Sequence, residues 1–442
     1  MKFASAYVFP LMDDFELDNK LKVIGVADHE QNSLVAAVQL PVGRFSDPPE
    51  FEGLCELTAN LLTKGTENVP ADAFAEECEN AGATIFTDAG EEYCVLGIRM
   101  RAPSASSLLP LFAEMMNRPR LADEEFVRLQ REMITSLRAE AVDPHSLATR
   151  HFYAELAGDK HPAGRLETVR SLKKITIRDV RSFFNDYFLP EGALCVLAGD
   201  LERPALKELA TAHFSPWRGT SGKKAVIAPP LRIRPAAVRL IDKKDLTQTS
   251  FVVGHACPGE KCPEKNALLL ANYIFGSGNF SSRLMARLRS AAGKTYGISS
   301  QLSTETDFGV FMIATSTQNR DLGEVLTGVL EEYRRFCKDG VTADELEKAK
   351  RFAIGNMAFQ LEGIGNVVDK LLWLRFYGRP NSYIEKFEET IFPLDTTAVN
   401  DAVRRYLSPD HLIIAAVGKR AEIEPQLTRF GAVKHYHFRD KA

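Results

Sequence analysis

The stretch EFEGLCELTANLLTKGTENVP, residues 50–70, predicts an amphipathic helix that ends in a glycine turn. Apolar residues recur from Leu54 to Leu62 at helical spacing, and Gly65, three residues later, predicts a helix stop. Glu56 and Asn60 are four residues apart, so they lie on one face of this helix. The stretch contains no histidine, and the chemistry of that polar face decides what the protein can do.

The chain contains an internal repeat. The segments DYFLPEGALCVLAGD (186–200) and RYLSPDHLIIAAVGK (405–419) align without a gap, and Gly199 falls opposite Gly418. Each predicts the end of a helix, a turn at proline and an acidic residue, and then a buried strand closed by glycine. The repeat therefore predicts two homologous halves of one chain.

A linker rich in Gly, Pro and Lys separates the halves at residues 219–238. We predict an N-terminal domain over residues 1–218 and a C-terminal domain over residues 239–442. Strand patterns such as ETDFGVFMIATST alternate with long helical patterns such as LGEVLTGVLEEYRRFCKDG. The predicted fold class is α+β, in which each half is an antiparallel-rich sheet with helices packed on it.

The composition excludes several classes of protein. The chain has 442 residues, 45% of them hydrophobic and 26% charged, as in soluble globular proteins. A net charge of −4 gives no reason to expect nucleic acid or an anionic membrane as a partner. Asp13 and Asp14 interrupt the first apolar run, which argues against a signal peptide. With seven scattered cysteines, the expected location is cytoplasmic, or periplasmic if a signal peptide was removed.

Several motifs in this order resemble one enzyme family. They are the Gly-Leu-x…Lys-Gly-Thr frame of the opening stretch, HPAG at 161–164 and SSRLMARLRSAAGKTYGISS at 281–300. Together with the two halves, they resemble the pitrilysin/insulinase metallopeptidases over nearly the whole chain. The most similar branch comprises the short bacterial subunits related to the mitochondrial processing peptidase, of the type that lacks the zinc motif. The resemblance implies a half-clamshell subunit.

Active members of that family carry an inverted zinc motif, H-x-x-E-H, on the helix quoted above. Two histidines at i and i+4 bind one zinc, and the intervening glutamate serves as general base. When the sequence is registered on Lys-Gly-Thr, these three positions hold Glu56, Ala59 and Asn60. The resemblance thus implies that both imidazoles and the base have been lost, and that these residues are polar or structural positions on a helix face.

The family's third zinc ligand is a glutamate on a later helix. The expected register falls near Ser136, and Glu132 and Glu140 lie about one turn to either side. Either glutamate could retain a ligand-like position, but one carboxylate does not hold catalytic zinc. We therefore expect no zinc in this chain and zinc in a partner subunit.

A second group of possible metal ligands lies in the segment HACPGEKC. It brings His255, Cys257 and Cys262 close together in sequence. Three soft donors on a Pro-Gly loop fall short of a four-ligand structural zinc site. We expect no metal there.

The second half keeps a pair that the resemblance associates with substrate. It supplies an arginine and a tyrosine seven residues apart, here Arg289 and Tyr296 in RLRSAAGKTYG. The sequence predicts a helix through Arg289, a break at Gly293 and a strand entered at Tyr296. A tyrosine hydroxyl can donate to an oxyanion, and a guanidinium can hold carbonyl or carboxylate groups. The alternative is that the pair is purely structural.

Three functions remain open at this point. The leading hypothesis is a non-catalytic, substrate-binding subunit that completes the peptide-binding chamber of an H-x-x-E-H partner, as a heterodimer. The second is a structural scaffold or peptide-binding protein with no role in proteolysis. For either function, the partner is a homologous zinc-bearing subunit or a second copy of the chain in a homodimer. The third is an independent peptidase with unusual ligands around Glu56 and Glu132.

Overall fold

The structure is a computed structural model that describes residues 7–219, 222–290 and 294–438. Within these ranges, the side chains of Asn279, Arg289, Ser290 and Tyr296 lie outside the description. The chain forms two compact units, each assembled from separate segments of the sequence. Unit 1 comprises the described residues of Met1–Thr135, Glu167–Ile227 and Met357–Lys386, and unit 2 those of Ser136–Leu166, Ala228–Asn356 and Phe387–Ala442.

Each unit contains one six-stranded sheet. The strands of unit 1 are β1 (Met12–Glu16), β2 (Lys22–Ala27), β3 (Ser33–Leu40), β4 (Thr84–Ala89), β5 (Cys94–Arg101) and β6 (Leu194–Gly199). Those of unit 2 are β7 (Ala237–Asp242), β8 (Gln248–Cys257), β9 (Thr295–Thr304), β10 (Gly309–Gln318), β11 (Ile413–Gly418) and β12 (Val433–His437). The α+β class predicted from the sequence is confirmed.

The two sheets repeat one topology. Their strand orders are β1-β2-β6-β3-β5-β4 and β12-β7-β11-β8-β10-β9. Five consecutive strands of one sheet therefore match five of the other in the same order, and only the first edge strand differs. In both sheets the repeated segment forms the strand that pairs in parallel with the first of the five, as β6 with β2 and β11 with β7. The other pairings among the five are antiparallel.

Helices occupy most of the remaining chain. They are α1 (Leu54–Leu62), α2 (Ala71–Asn80), α3 (Ala105–Asn117), α4 (Asp123–Glu140), α5 (Pro144–Ala157), α6 (Val169–Lys174), α7 (Ile177–Tyr187), α8 (Arg203–Phe214), α9 (Lys265–Asn272), α10 (Leu322–Asp339), α11 (Ala343–Gln360), α12 (Ile364–Phe376), α13 (Ser382–Glu385), α14 (Phe387–Ile391), α15 (Thr396–Tyr406) and α16 (Arg420–Leu427). Residues 222–236, within the predicted linker, form neither helix nor strand.

One helix in each unit comes from a distant part of the chain. In unit 1, α12 packs on β3 and β6, where Val368 and Leu371 join Ala37 and Val196 in one buried cluster. In unit 2, α5 packs on β8 and β11. The face of the unit 1 sheet that α12 covers is apolar, and such a face must be covered to be stable in water. The two units thus depend on segments that a contiguous division of the sequence would separate.

A buried ion pair joins α5 to its sheet. The Arg239 Nε of β7 donates to Glu155 Oε2 at 2.7 Å, and the Lys434 Nζ of β12 donates to Glu155 Oε1 at 2.7 Å. The side chains of Glu155 and Arg239 are only 11% and 10% exposed. Burial raises the pKa of Glu155, but its two cationic partners outweigh that effect and lower it. The carboxylate is therefore ionised in the fold and specifies where α5 docks.

His255 is a structural residue of unit 2. Its Nδ1 lies 2.8 Å from the carbonyl oxygen of Ala256, and its Nε2 lies 2.6 Å from Tyr333 Oη and 3.2 Å from the Ser408 nitrogen. We assign the neutral tautomer, in which Nδ1–H donates to Ala256 and Nε2 accepts from both donors. The Cys257 thiol lies in the buried core, and burial raises its pKa. Among the described residues there is no group of three metal-ligating side chains.

The burial of His255 makes the fold sensitive to acid. Burial lowers its pKa from 6.5 to about 4. Below pH 6.5 the His255 imidazole is protonated in the unfolded chain but stays neutral in the folded chain. Stability is therefore lost as the pH falls to about 4. The expected loss is about 3 kcal/mol.

This loss is measured by urea unfolding of the wild-type protein and of His255→Gln from pH 7.5 to 4. The variant should be less stable at pH 7.5, but its stability should decline less steeply with acid. Parallel pH profiles of the two proteins would contradict this assignment of His255. His145→Gln, on the exposed surface of α5, is the matched control and should follow the wild-type profile.

Candidate functional site

The stretch at residues 50–70 forms α1, and the start of this helix is fixed by a buried carboxylate. Asp47 Oδ2 accepts from the Gly53 nitrogen and Asp47 Oδ1 from the Cys55 nitrogen, both at 2.8 Å. These bonds satisfy amide groups that the first turn of a helix leaves without partners. Gly53 has a φ of 99°, and a Cβ there would meet Leu172 Cδ2 at 2.5 Å. Glycine is therefore required where the chain enters α1.

The predicted turn at the end of α1 is present. Gly65 has a φ of 95°, which is the left-handed conformation that glycine adopts readily. The Thr66 nitrogen donates to the Val69 carbonyl oxygen at 2.8 Å, which closes the turn. The Lys-Gly-Thr segment is therefore a structural stop for the helix.

The three zinc-motif positions lie on α1, as the sequence predicts. Ala59 is 1% exposed and packs in the core of unit 1, while Glu56 and Asn60 are half-buried on the polar face. Asn60 Oδ1 accepts a hydrogen bond of 2.7 Å from the Thr87 hydroxyl of β4. The amide is thus engaged with the edge strand of the sheet. A methyl group stands where the family places its general base.

Arg44 places a positive charge near the polar face of α1. Arg44 Nη2 donates to Glu91 Oε1 at 2.8 Å. Burial lowers the pKa of Arg44, but the negative charges of Glu91, Glu167 and Glu56 outweigh it and raise the pKa. Burial also raises the pKa of Glu91, against the lowering effect of Arg44. The negative charge of the carboxylates near α1 is therefore balanced in part by the guanidinium of Arg44.

The donors present do not fit a catalytic zinc. Such a site takes three protein ligands, commonly histidines, and leaves one position open for water. Here the two histidine positions hold a carboxylate and an amide, and the amide is bonded to Thr87. Across residues 7–219, 222–290 and 294–438, no three His, Cys, Asp or Glu side chains gather into a metal site.

The candidate third ligands lie on α4. Glu132 and Ser136 are exposed on this helix. Glu140 Oε2 is 3.9 Å from Arg150 Nη1, a weak ion pair at the surface. A ligand-like position for Glu132 or Glu140 stays a prediction. The family's ligand positions on α1 supply no histidine that could bind zinc together with either glutamate.

The Arg289/Tyr296 pair can be described only by its backbone. Arg289 belongs to a π-helical turn at Met285–Ser290, and Tyr296 belongs to β9, which begins at Thr295. Gly293, the predicted break, lies outside the described residues, as do the side chains of Arg289 and Tyr296. Their proposed contact with substrate stays a prediction. β9 is the edge strand of its sheet, as β4 is in unit 1.

Sequence reasoning missed the residues that surround α1. Arg44 and Asp47 lie in the segment GRFSD, and their spacing before the Gly-Leu frame is a usable signal for a capped helix start. Thr87 and Glu91 could not be assigned from sequence, because their approach to α1 depends on the position of β4. No helix in the described part of the chain is both long and apolar enough to cross a membrane.

Comparison with known proteins identifies the protein family. Two family models match: Insulinase (Peptidase family M16) over residues 22–165 and Peptidase M16 inactive domain over residues 174–352. The chain therefore belongs to the insulinase-like M16 family. It lacks the H-x-x-E-H motif, and residues 174–352 match the domain described as inactive.

Individual relatives agree with the family assignment. The chain is 24% identical to an uncharacterized zinc protease of Mycobacterium leprae, with 83% of this chain and 82% of that protein covered. It is also 24% identical to YmxG of Helicobacter pylori, named a non-peptidase homolog, covering 86% and 87% of the two chains. The fold matches the crystal structure of a peptidase M16 inactive domain from Pseudomonas fluorescens with a TM-score of 0.86 and 24% identity, covering 92% and 98% of the chains.

The position of α1 should depend strongly on Asp47. Burial raises the pKa of Asp47 to about 7, against the lowering effect of its two amide donors. Well above pH 7 the carboxylate is ionised, and Asp47→Ala should then lower the free energy of unfolding by about 2–3 kcal/mol, because two buried N–H groups lose their acceptor. Chemical denaturation of the two proteins measures this difference.

Two further variants make the comparison specific. Asp47→Asn keeps one acceptor oxygen and should be intermediate in stability. Asp18→Ala removes an exposed carboxylate from unit 1 and should leave stability unchanged. Equal stability of Asp47→Ala and Asp18→Ala would refute the role given to Asp47.

Proposed function

We propose that the chain is a non-catalytic, substrate-binding subunit of a zinc endopeptidase, and that it completes the peptide-binding chamber of a homologous H-x-x-E-H partner. The observation that carries this proposal is an asymmetry between the halves. The zinc-motif positions hold Glu56, Ala59 and Asn60, whereas Arg289 and Tyr296 are retained in the second half. If the chain had simply lost its function, there would be no reason for it to retain Arg289 and Tyr296, the pair proposed to contact substrate.

The edge strand β4 supports a role in peptide binding. Among the described residues it pairs with β5 alone, so its other side offers backbone donors and acceptors. An extended peptide can add to such an edge as one more strand. Because Thr87 of β4 bonds Asn60 of α1, a peptide on this edge would pass beside the former ligand face. That face now offers an amide and carboxylates in place of a metal.

The chemistry of each residue fits a supporting role. Arg289 would hold carbonyl or carboxylate groups of the peptide, because a guanidinium presents several donors in a fixed plane. Tyr296 would donate its hydroxyl proton in a hydrogen bond to the oxyanion that forms at the scissile carbonyl. Zinc and its water would belong to the partner subunit. This chain would bind and orient the peptide there.

Mixing the purified chain with an H-x-x-E-H homologue tests the proposal. Neither the chain alone nor its zinc-depleted mixture should cleave a fluorogenic peptide, and the complete mixture should cleave it. Tyr296→Phe in this chain should then lower kcat by about 100-fold, the effect of losing one oxyanion donor. Arg289→Ala should chiefly raise KM.

Controls separate binding from assembly. Tyr187→Phe removes a hydroxyl from a half-buried tyrosine of unit 1 and should leave kcat unchanged. Analytical ultracentrifugation of each mixture verifies that the variants still associate with the partner. If the complex forms and cleaves peptide equally well with Tyr296→Phe and Arg289→Ala combined, the proposal fails, and a scaffold role is the better description.

A further inference from the structure

Unit 1 contains a cavity of about 530 Å³ at one end of its sheet. Its floor is formed by β1, β2, β3 and β6, and its wall by the last turn of α12. Ile24, Leu194 and Phe376 give it an apolar lining. A volume of this size is typical of small-molecule sites, which are mostly apolar with a few placed polar groups. The zinc-motif residues do not line it.

A buried side chain in this cavity lacks a partner. Gln39 of β3 lines the cavity, is only 4% exposed, and has no hydrogen-bond partner for Nε2 among the described residues. Side chains alternate along a strand, so Gln39 shares a face with Val35 and Ala37, which pack against α12. A buried amide nitrogen without a partner is destabilising, and a bound ligand is one explanation for its presence.

Charged side chains of both signs surround the cavity. Arg375 Nη1 donates to Asn381 Oδ1 at 2.8 Å and Nη2 to Asp14 Oδ2 at 3.2 Å, so this guanidinium is already occupied. Lys22 is exposed and forms no ion pair with a described residue. Glu16, opposite Lys22 in the strand register, has only a long surface contact of 3.5 Å with Lys20. One cation and one anion are therefore available to a ligand.

We propose that this cavity binds a short zwitterionic peptide, such as a dipeptide, with the Gln39 amide paired to the peptide amide. A primary amide carries one donor group and one acceptor oxygen, which is the complement of a peptide group. Lys22 attracts the ligand carboxylate and Glu16 its ammonium, while the apolar floor takes a hydrophobic side chain. This site is separate from α1 and β4, and it does not depend on a partner subunit.

Calorimetric titration of the chain alone tests the proposal, with the dipeptide Leu-Phe as the probe. Leu-Phe should bind, and N-acetyl-Leu-Phe and Leu-Phe amide should each bind more weakly, because each lacks one charge. Free leucine and free phenylalanine lack the peptide amide and should bind least. Equal binding of the blocked and free dipeptides would overturn the zwitterion assignment. Absence of binding for every probe would overturn the site.

The variant Gln39→Leu separates ligand binding from stability. It should weaken Leu-Phe binding by about tenfold or more. It should also raise the Tm of the ligand-free chain by about 2–4 °C, because an unpartnered buried amide is replaced by an apolar group. Unchanged binding by a folded Gln39→Leu protein would contradict the proposal.

Matched surface variants complete the experiment. Lys22→Met should weaken binding of Leu-Phe but not of Leu-Phe amide, whereas Lys173→Met, at an exposed lysine of α6, should affect neither. Gln31→Leu, at an exposed glutamine before β3, should leave both binding and Tm unchanged. A result in which Lys22→Met and Lys173→Met behave alike would contradict the role of Lys22. Because no partner or proteolysis is involved, these outcomes are independent of the heteromeric function proposed above.

Discussion

The fold depends on covering one face of each sheet with a helix that is distant in sequence. In unit 2 the covering helix α5 is anchored by Glu155, which Arg239 and Lys434 hold from two strands. Removing one member of such a buried ion pair leaves an uncompensated charge, so the pair specifies the docking position of α5 even if it adds little net stability. In unit 1, α12 provides the equivalent cover through apolar contacts. Each unit therefore needs segments from both halves of the sequence.

The packing of α1 explains how residues at the zinc-motif positions can change while the fold persists. The buried residues of α1, such as Leu57 and Leu61, pack into unit 1, and Asp47 and Gly53 fix where the helix starts. Neither task involves the polar face. Glu56 and Asn60 lie on that face, so the residues at a family's ligand positions can change at little cost to folding. The negative charge of Glu91, near this face, is balanced by the guanidinium of Arg44.

The sequence was sufficient for some features and insufficient for others. The repeat around Gly199 and Gly418 correctly predicted two equivalent sheets, because a buried parallel strand leaves a strong local pattern. The helix stop at Gly65 was predictable because a glycine after a helical pattern marks a turn. The exchange of α5 and α12 between the sequence halves was not, because helical periodicity states which face is buried but not against which sheet. The cavity at Gln39 likewise arises only when four strands and a helix end come together.

The central claim is that this M16 chain folds without a zinc site of its own, and zinc binding by the purified protein tests it most directly. The measurement is equilibrium dialysis against buffered zinc followed by elemental analysis, with an H-x-x-E-H homologue dialysed in parallel. The account predicts substoichiometric zinc on this chain under conditions that load one zinc per chain of the homologue. One tightly bound zinc per chain, lost on replacing Glu56 with alanine, would contradict it.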